Sequence, residues 1–426
     1  MNYHKKFVKY SCTGCGACSD NIDGYNTKFG YQPTNITNDK LISISQYCPG
    51  IGLNRQSLFD HSVKADPFIG PIHSCYVGFS NNEIQRLSSS SGGVLTEIAA
   101  YLLEKKFVDG IAMPIPTDSS EADHEYEIVT DIRLIRESSQ SIYRKVSISS
   151  FINKLSEFNG SVCFIGLPDQ VAALSFKYFN HHLRTKIKYK IGPMVGIMMD
   201  GDVIDFLPKL FRNSSGINKL RWREGEWPGY LLIQFSDGKE YKLTKFYYNY
   251  LLPFFCSYES LMSDDFSNEL TDISVGDAWS PKYESLGKGW SLVTSKSQKG
   301  DNLLKTLSND GIINLDPIDV SEAISMHAHM LDFKKRGSYF RIKILKFLNF
   351  STPKNYSPSP LFSVRRYAIE IIILFIVLMC RTKLFRFILL KTDQKLLGRI
   401  FSFSRLKWKQ LTKKTKREGM SNYGKR

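Results

Sequence analysis

The sequence predicts an α/β main domain built on a mixed α+β sheet. A small cysteine-bearing module precedes it, and a basic, apolar helical tail follows. Three observations carry this reading. Short apolar runs end in glycine-containing loops that lead into helical patterns, which is the alternation of an α/β sheet. Three cysteines fall within Cys12–Cys18, close to the N-terminus. The positive charge gathers at the other end: residues 381–426 hold 15 of the 57 Lys and Arg but only 2 of the 41 Asp and Glu, so this segment carries +13 and the rest of the chain +3. A chain of 426 residues has room for two or three domains. The expected units are residues 1–60, 61–357 and 358–426.

In the first unit, Cys12-Thr13-Gly14-Cys15-Gly16-Ala17-Cys18 is followed downstream by Cys48-Pro49-Gly50. The spacing lets three thiolates converge on one small object. Cysteine-rich runs flanked by Cys-Pro are how ferredoxins hold a [4Fe–4S] cluster. The usual slot for the fourth cysteine holds Ile22-Asp23 here, so Cys48 is the expected fourth ligand beside Cys12, Cys15 and Cys18. The competing readings are zinc and disulfides. Zinc sites usually arrive as two separated cysteine pairs, and disulfides would have to pair very close neighbours. Cys75, Cys163, Cys256 and Cys380 are scattered singly and read as ordinary core or surface residues. Met1-Asn2-Tyr3-His4-Lys5-Lys6 has no apolar signal-like run, so a cytoplasmic location is expected.

The main domain follows Pro67-Phe68-Ile69-Gly70-Pro71. Ser88-Ser89-Ser90-Ser91-Gly92-Gly93 feeds a helix in which Val94, Leu95, Ile98, Tyr101 and Leu102 repeat at helical spacing. Such a loop gathers free N–H groups at the positive end of a helix dipole and suits a phosphate. A plain capping loop is the simpler alternative. Phe107–Met113 reads as a strand, Val146–Phe158 as a helix, and Ser161–Ile165 as a buried strand. Gly166-Leu167-Pro168-Asp169-Gln170 then leads to a helix from Val171, and Lys190–Met199 reads as a further strand. Tyr230–Phe235 and Tyr241–Leu243 flank a hairpin signal, Ser236-Asp237-Gly238-Lys239-Glu240. Asp272–Trp279 and Gly287–Val293 each set a glycine turn beside an apolar run, and a helix from Leu303 follows an Asp301-Asn302 cap. His327 and His329 lie two residues apart, not a metal spacing on one helix face, and read as incidental.

The last unit contains Tyr367–Cys380, the most apolar stretch in the chain. A spanning helix needs about 20 apolar residues, and Glu370 interrupts this run. With Leu384–Leu390 and its interleaved bases, the composition suits a helix lying on an anionic membrane surface. A C-terminal helix packed on the body is the alternative. The concentration of charge in this segment, without any helix-turn-helix, zinc-finger or RNA-binding signature, argues against nucleic acid.

Several motifs then stand in a familiar order. The cysteine run, Ser90-Ser91-Gly92-Gly93-Val94, Val108-Asp109-Gly110, Gly166-Leu167-Pro168-Asp169-Gln170, Asp272-Ile273-Ser274-Val275-Gly276-Asp277-Ala278-Trp279 and Gly289-Trp290-Ser291-Leu292-Val293 together resemble the coenzyme F420 hydrogenase/dehydrogenase beta-subunit family. The resemblance covers roughly residues 10 to 315. It implies an iron–sulfur flavoprotein oxidoreductase that passes electrons between a [4Fe–4S] cluster, FAD and an organic acceptor. Ser90, Ser91, Gly92, Gly93 and Thr96 become the expected FAD phosphate cradle. Gly166, Gln170, Gly276 and Asp277 become expected residues of the flavin or substrate face. The implied partners are an electron donor, such as ferredoxin or a redox subunit, and a small-molecule or glycan-related acceptor. Bacterial relatives occur among exopolysaccharide biosynthesis proteins. The chain departs from the family at Asp169, at Met194–Met199 and around Cys256, where the family often carries further cysteines. These losses remove thiolates for a second cluster, and they motivate an alternative: a non-catalytic iron–sulfur adaptor or electron-relay subunit.

Overall fold

The apolar runs assemble into one eight-stranded sheet in a computed structural model. It describes residues 3–400 except 61, 119, 244–250, 355–360 and 394–395, and beyond 400 only 402, 403 and 406. The strands are β1 (Ser74–Ser80), β2 (Gly110–Thr117), β3 (Ser120–Val129), β4 (Val162–Ile165), β5 (Ile187–Pro193), β6 (Ile273–Asp277), β7 (Ser291–Ser295) and β8 (Ile313–Pro317). Their order is β8-β1-β7-β6-β5-β4-β2-β3. The four strands β6, β5, β4 and β2 run parallel to their neighbours, and the flanking pairs are antiparallel.

Alternation along the strands feeds two cores. In β4, Val162 and Phe164 face one layer with Phe151 and Val171, while Cys163 faces the other with Ile98, Leu102 and Leu304. Helix α1 (Val94–Glu104) covers the second face and α2 (Pro168–Ser175) the first. Burial on both sides explains why the central strands read as continuous apolar runs. Strand β3 is spelled Ser-Glu-Ala-Asp-His-Glu-Tyr-Glu-Ile-Val and lies at the sheet edge, where charge is tolerated and even protective. That polar spelling gives no strand signal in the sequence.

The expected strand over Lys190–Met199 ends at Pro193, where its pairing with Val275 of β6 stops. The expected helix over Val146–Phe158 is shortened to Ser149–Glu157. Residues before it are drawn to the N-terminal unit, and the Ile148 N–H donates to the Cys15 carbonyl at 2.8 Å.

The N-terminal unit contains a hairpin, Gly24–Thr27 with Gly30–Pro33, and a helix over Asn38–Ile44 capped by Thr37. Its Phe7, Ile22, Leu41, Ile44 and Tyr47 share one core with Phe151, Phe164 and Phe179 of the main domain. The unit is therefore packed into the body rather than hinged to it.

The segment expected to form a separate tail is also built in, over its described part. Helices α3 (Val320–Asp332), α4 (Ser338–Phe347) and α5 (Val364–Cys380) meet in one cluster, in which Leu345, Leu374 and Val377 pack with Leu261 and Met262. Helix α6 (Lys383–Lys391) inserts Leu389 beside Leu207 and Phe255. Composition alone makes residues 358–426 look dispensable to the body. For residues 364–391 that expectation is corrected by this packing and by the ion pairs of Arg366, Arg381 and Arg386 with Asp332, Asp200 and Asp202. Among the described residues, no helix is long and apolar enough to cross a membrane.

Candidate cofactor sites

Cys12, Cys15, Cys18 and Cys48 line one small cavity together with Phe7, Tyr31 and Tyr47. The loop that brings them there depends on Gly14 and Gly16, at φ +65° and +87°, and a Cβ on Gly16 would stand 2.3 Å from Ser147 Oγ. All four are free thiols. Burial pushes the Cys12 thiol up to about 12 and raises the other three. Backbone N–H groups oppose that shift: Gly14 toward Cys12, Ala17 toward Cys15, and Gly50 and Ile51 toward Cys48. Such N–H···S bonds stabilise thiolate ligands and tune iron–sulfur centres. Among the described residues, no three or more His, Cys, Asp or Glu side chains close on a point as a single metal ion requires. The donor set and its N–H partners fit a cluster held around a cavity.

A second, larger cavity of about 790 Å³ opens at the carboxyl ends of β2, β4, β5 and β6. Open α/β sheets place ligands there, and the volume is that of a cofactor pocket. Ser90, Ser91, Gly93 and Thr96 line it, on the loop and first turn of α1. Gly93 caps α1 at φ +79°, and no capping side chain satisfies the first-turn N–H groups. An anion at this end of the cavity therefore meets a helix N-terminus.

Gly92 is not among the lining residues. Its N–H donates to Ser291 Oγ at 2.9 Å, and a Cβ there would fall 2.6 Å from the Gly78 carbonyl, so its role is close packing of the loop on the sheet. Gly166 and Gly276 line the cavity as expected. Asp277 also lines it, but its carboxylate is engaged by Arg223 at 2.8 and 2.9 Å and by Trp227 Nε1 at 2.8 Å.

Gln170 is the clearest correction. It is fully buried: Oε1 accepts from the Tyr126 hydroxyl and the Leu167 N–H, and Nε2 donates to the Val146 carbonyl. It caps α2, both Oε1 acceptor sites are taken, and it is not among the residues that line the cavity.

The structure adds wall residues that the sequence does not reveal. Met113, Met194, Met198 and Met330 supply a soft, polarizable wall suited to a flat ring. Arg223 arrives from a separate three-stranded sheet, over Ile217–Glu224. Gln140 also lines this wall, and its Nε2 donates to the Ser88 carbonyl at 3.1 Å. His327, incidental by its spacing, lines the cavity and donates from Nε2 to the Asp277 carbonyl at 2.7 Å, and burial lowers its pKa. No local pattern marks Arg223 or Gln140, because sheet packing alone brings them here. The uncapped helix and the apolar wall fit a large cofactor with a phosphate group.

Leu167 lines this cavity and also a smaller one, of about 120 Å³, at the seam with the cysteine unit. Lys145 is buried there, 2.8 Å from Asp169 and 3.4 Å from Glu259, and its charge acts on Cys12 and Cys15. Asp169 thus holds an ion pair close to the thiols.

Two family models of the coenzyme F420 hydrogenase/dehydrogenase beta chain match this sequence. The model of its N-terminal part matches residues 75–153, and the model of its C terminus matches residues 159–321. The chain belongs to this family. The match covers the main sheet and most of the large cavity, and leaves the cysteine unit and the cavity residues His327 and Met330 outside it. In fold, this family member is similar to a chain of the F420-reducing [NiFe] hydrogenase complex from Methanosarcina barkeri, with a TM-score of 0.54, 17% identity, and coverage of 69% of this chain and 99% of that one. Comparison with curated proteins finds no match. Membership of a hydrogenase/dehydrogenase beta-subunit family gives the protein a redox role.

Proposed function

We propose that the protein is an iron–sulfur flavoprotein oxidoreductase. In this reading Cys12, Cys15, Cys18 and Cys48 hold one [4Fe–4S] cluster, and FAD occupies the large cavity. The observation that carries it is the placement of the two cavities, one lined by four thiols and one cofactor-sized, on either side of the small seam cavity, which shares Thr13 and Pro49 with the first and Leu167 with the second. A bound flavin converts the one-electron traffic of a cluster into two-electron chemistry on an organic acceptor.

The chain's own residues bind and orient. The first turn of α1 would hold the pyrophosphate, with Ser90, Ser91 and Thr96 beside it. The methionine wall and Trp279 would exclude water from a bound ring. His327, fixed by the Asp277 carbonyl, holds the floor in one shape. Lys145 offsets negative charge at the thiolates. The electron donor is a ferredoxin or a redox partner subunit, and the acceptor is a small molecule or glycan-related compound in polysaccharide biosynthesis. The working location is the cytoplasmic face of an anionic membrane.

One observation favours the alternative of a non-catalytic adaptor: Asp169 is committed to Lys145 where the resembling family often carries a cysteine. Anaerobic purification with iron and flavin assays decides between them. Stoichiometric FAD supports the enzyme; iron without flavin supports the adaptor; zinc without iron overturns both.

A further inference from the structure

We propose that the outer faces of α5 and α6 form one preformed docking surface for a leaflet of anionic lipid. The inference deepens the membrane placement above and rests on that placement alone, not on the redox chemistry.

On α5 the exposed positions include Val364, Ala368, Ile371, Ile372, Phe375 and Ile376, a single stripe at three- and four-residue spacing. Phe375 is 61% exposed and Ile372 52%. Two charged residues of the same helix, Arg366 and Glu370, point the other way and are wholly buried. A helix packed on a water-facing body normally shows the reverse. A contiguous apolar face of this kind marks a contact with a partner or a membrane.

Helix α6 continues the pattern with Leu384, Phe387 and Ile388, exposed at 64%, 57% and 48%. Both helices are fixed. Arg381, at their junction, pairs with Asp200 at 2.6 Å, and Arg386 with Asp202 at 2.9 Å. The face therefore exists before it meets anything.

Charge selects lipid as the occupant. Arg365, Lys383 and Lys391 are exposed around the apolar stripe, while Glu370, the only acid on the two helices, is buried. Residues 392–426 then add 11 Lys and Arg against two acids, Asp393 and Glu418. Apolar residues that enter the acyl boundary, surrounded by bases that meet headgroups, describe an interfacial contact with an anionic leaflet. At 17 residues α5 lies on such a surface rather than crossing it.

The test is flotation of the full chain with two kinds of vesicle, phosphatidylcholine alone and phosphatidylcholine mixed with phosphatidylglycerol. The protein should float only with the mixed vesicles, and raised salt should weaken the partition. The double variant Ile372→Glu/Phe375→Glu changes exposed positions only. It should keep its unfolding midpoint and its iron and lose flotation by about tenfold or more. Lys383→Glu/Lys391→Glu should weaken flotation in the same direction. Equal flotation with both vesicle kinds, flotation with neither, or an apolar-face variant that floats like the parent would overturn the proposal. So would a lipid-free dimer that Phe375→Glu splits, which would assign the face to a second copy. Iron and flavin contents are read in the same samples, so failure here stays separate from failure of the redox reading.

Discussion

Arg341 Nη1 lies 2.6 Å from Glu370 Oε2, and neither side chain has any exposed surface. Arg366 stands 3.0 Å from the other Glu370 oxygen and also pairs with Asp332. Arg341, Arg366, Asp332 and Glu370 thus join α3, α4 and α5, and Arg336 lies 3.5 Å from the other Asp332 oxygen. A buried pair adds little net stability over a well-packed apolar substitute, but breaking one strands a charge. Glu370→Leu should therefore cost about 3–5 kcal/mol, read as a lower urea midpoint. Truncation after Ser357 removes both Arg366 and Glu370 and should yield insoluble or cofactor-free chain. A truncated protein with full iron and flavin would show that the helical cluster is dispensable after all.

Cys15→Ser removes a thiol that is buried in the cluster cavity and touches the body through its carbonyl. Anaerobic wild-type protein should contain about four irons per chain. The variant should lose them together with the brown absorption and retain flavin. Retained iron in the variant would exclude Cys15 as a ligand.

The proposed flavin site is best probed at Thr96. Gly93 is a poor choice because its φ of +79° strains any side chain, and a Cβ would already sit 3.2 Å from Ser80. Thr96 lies half-buried in the first turn of α1 on the cavity wall. Thr96→Glu places a carboxylate where the helix dipole welcomes it, so the fold should hold while phosphate is repelled. Flavin content should fall at least about tenfold with iron unchanged. Full flavin in this variant would move the phosphate site away from α1.

Two histidines set a pH dependence. Burial, with Arg144 nearby, pushes the His124 imidazole down to about 3, and burial also lowers His327. His124 therefore stays neutral in the folded chain where the unfolded chain takes up a proton, near pH ~6.5, and His327 is shifted in the same direction. Their full contribution is present above that pH. On acidification below it, the unfolded state binds protons that the native state refuses, so stability falls toward the folded pKa. The loss is at most about 1.4 kcal/mol per pH unit for each group. His124→Gln should flatten the fall in urea midpoint between about pH 7 and pH 5. An unchanged slope would exclude His124 as its source.

What is legible in the sequence is local. The cysteine spacing and the Ser/Gly loop before Val94 each occupy a few consecutive residues, and the structure gathers each at one cavity. The helix expected from Leu303 is present, although it begins a turn earlier, at Gln298 under a Ser297 cap. Nothing in the sequence joins Arg223 to Asp277, because 54 residues separate them and neither carries a motif for the other. Gln170 looks like a ligand because its motif does, yet its three hydrogen bonds are all internal. The apolar run in α5 gives no sign of which side packs. Only the fold shows that Arg366 and Glu370 turn inward.

The Gly92 N–H and the Ser291 hydroxyl that receives it are 199 residues apart in the chain. Among the described residues, strand β1, which precedes this loop by one short helix, pairs only with β7 and β8 in the main sheet. On a ribosome adding ~5–20 residues per second, β1 waits on the order of 10–40 s for β7 to be made. Through that interval both its edges are open to other strands, and the cradle at the start of α1 has no floor. Nascent chain is thus exposed to mispairing for much of its synthesis. Cofactor capture at the large cavity belongs after translation of the sheet, and expression at lower temperature or with added chaperone should raise the yield of loaded protein more than added flavin does.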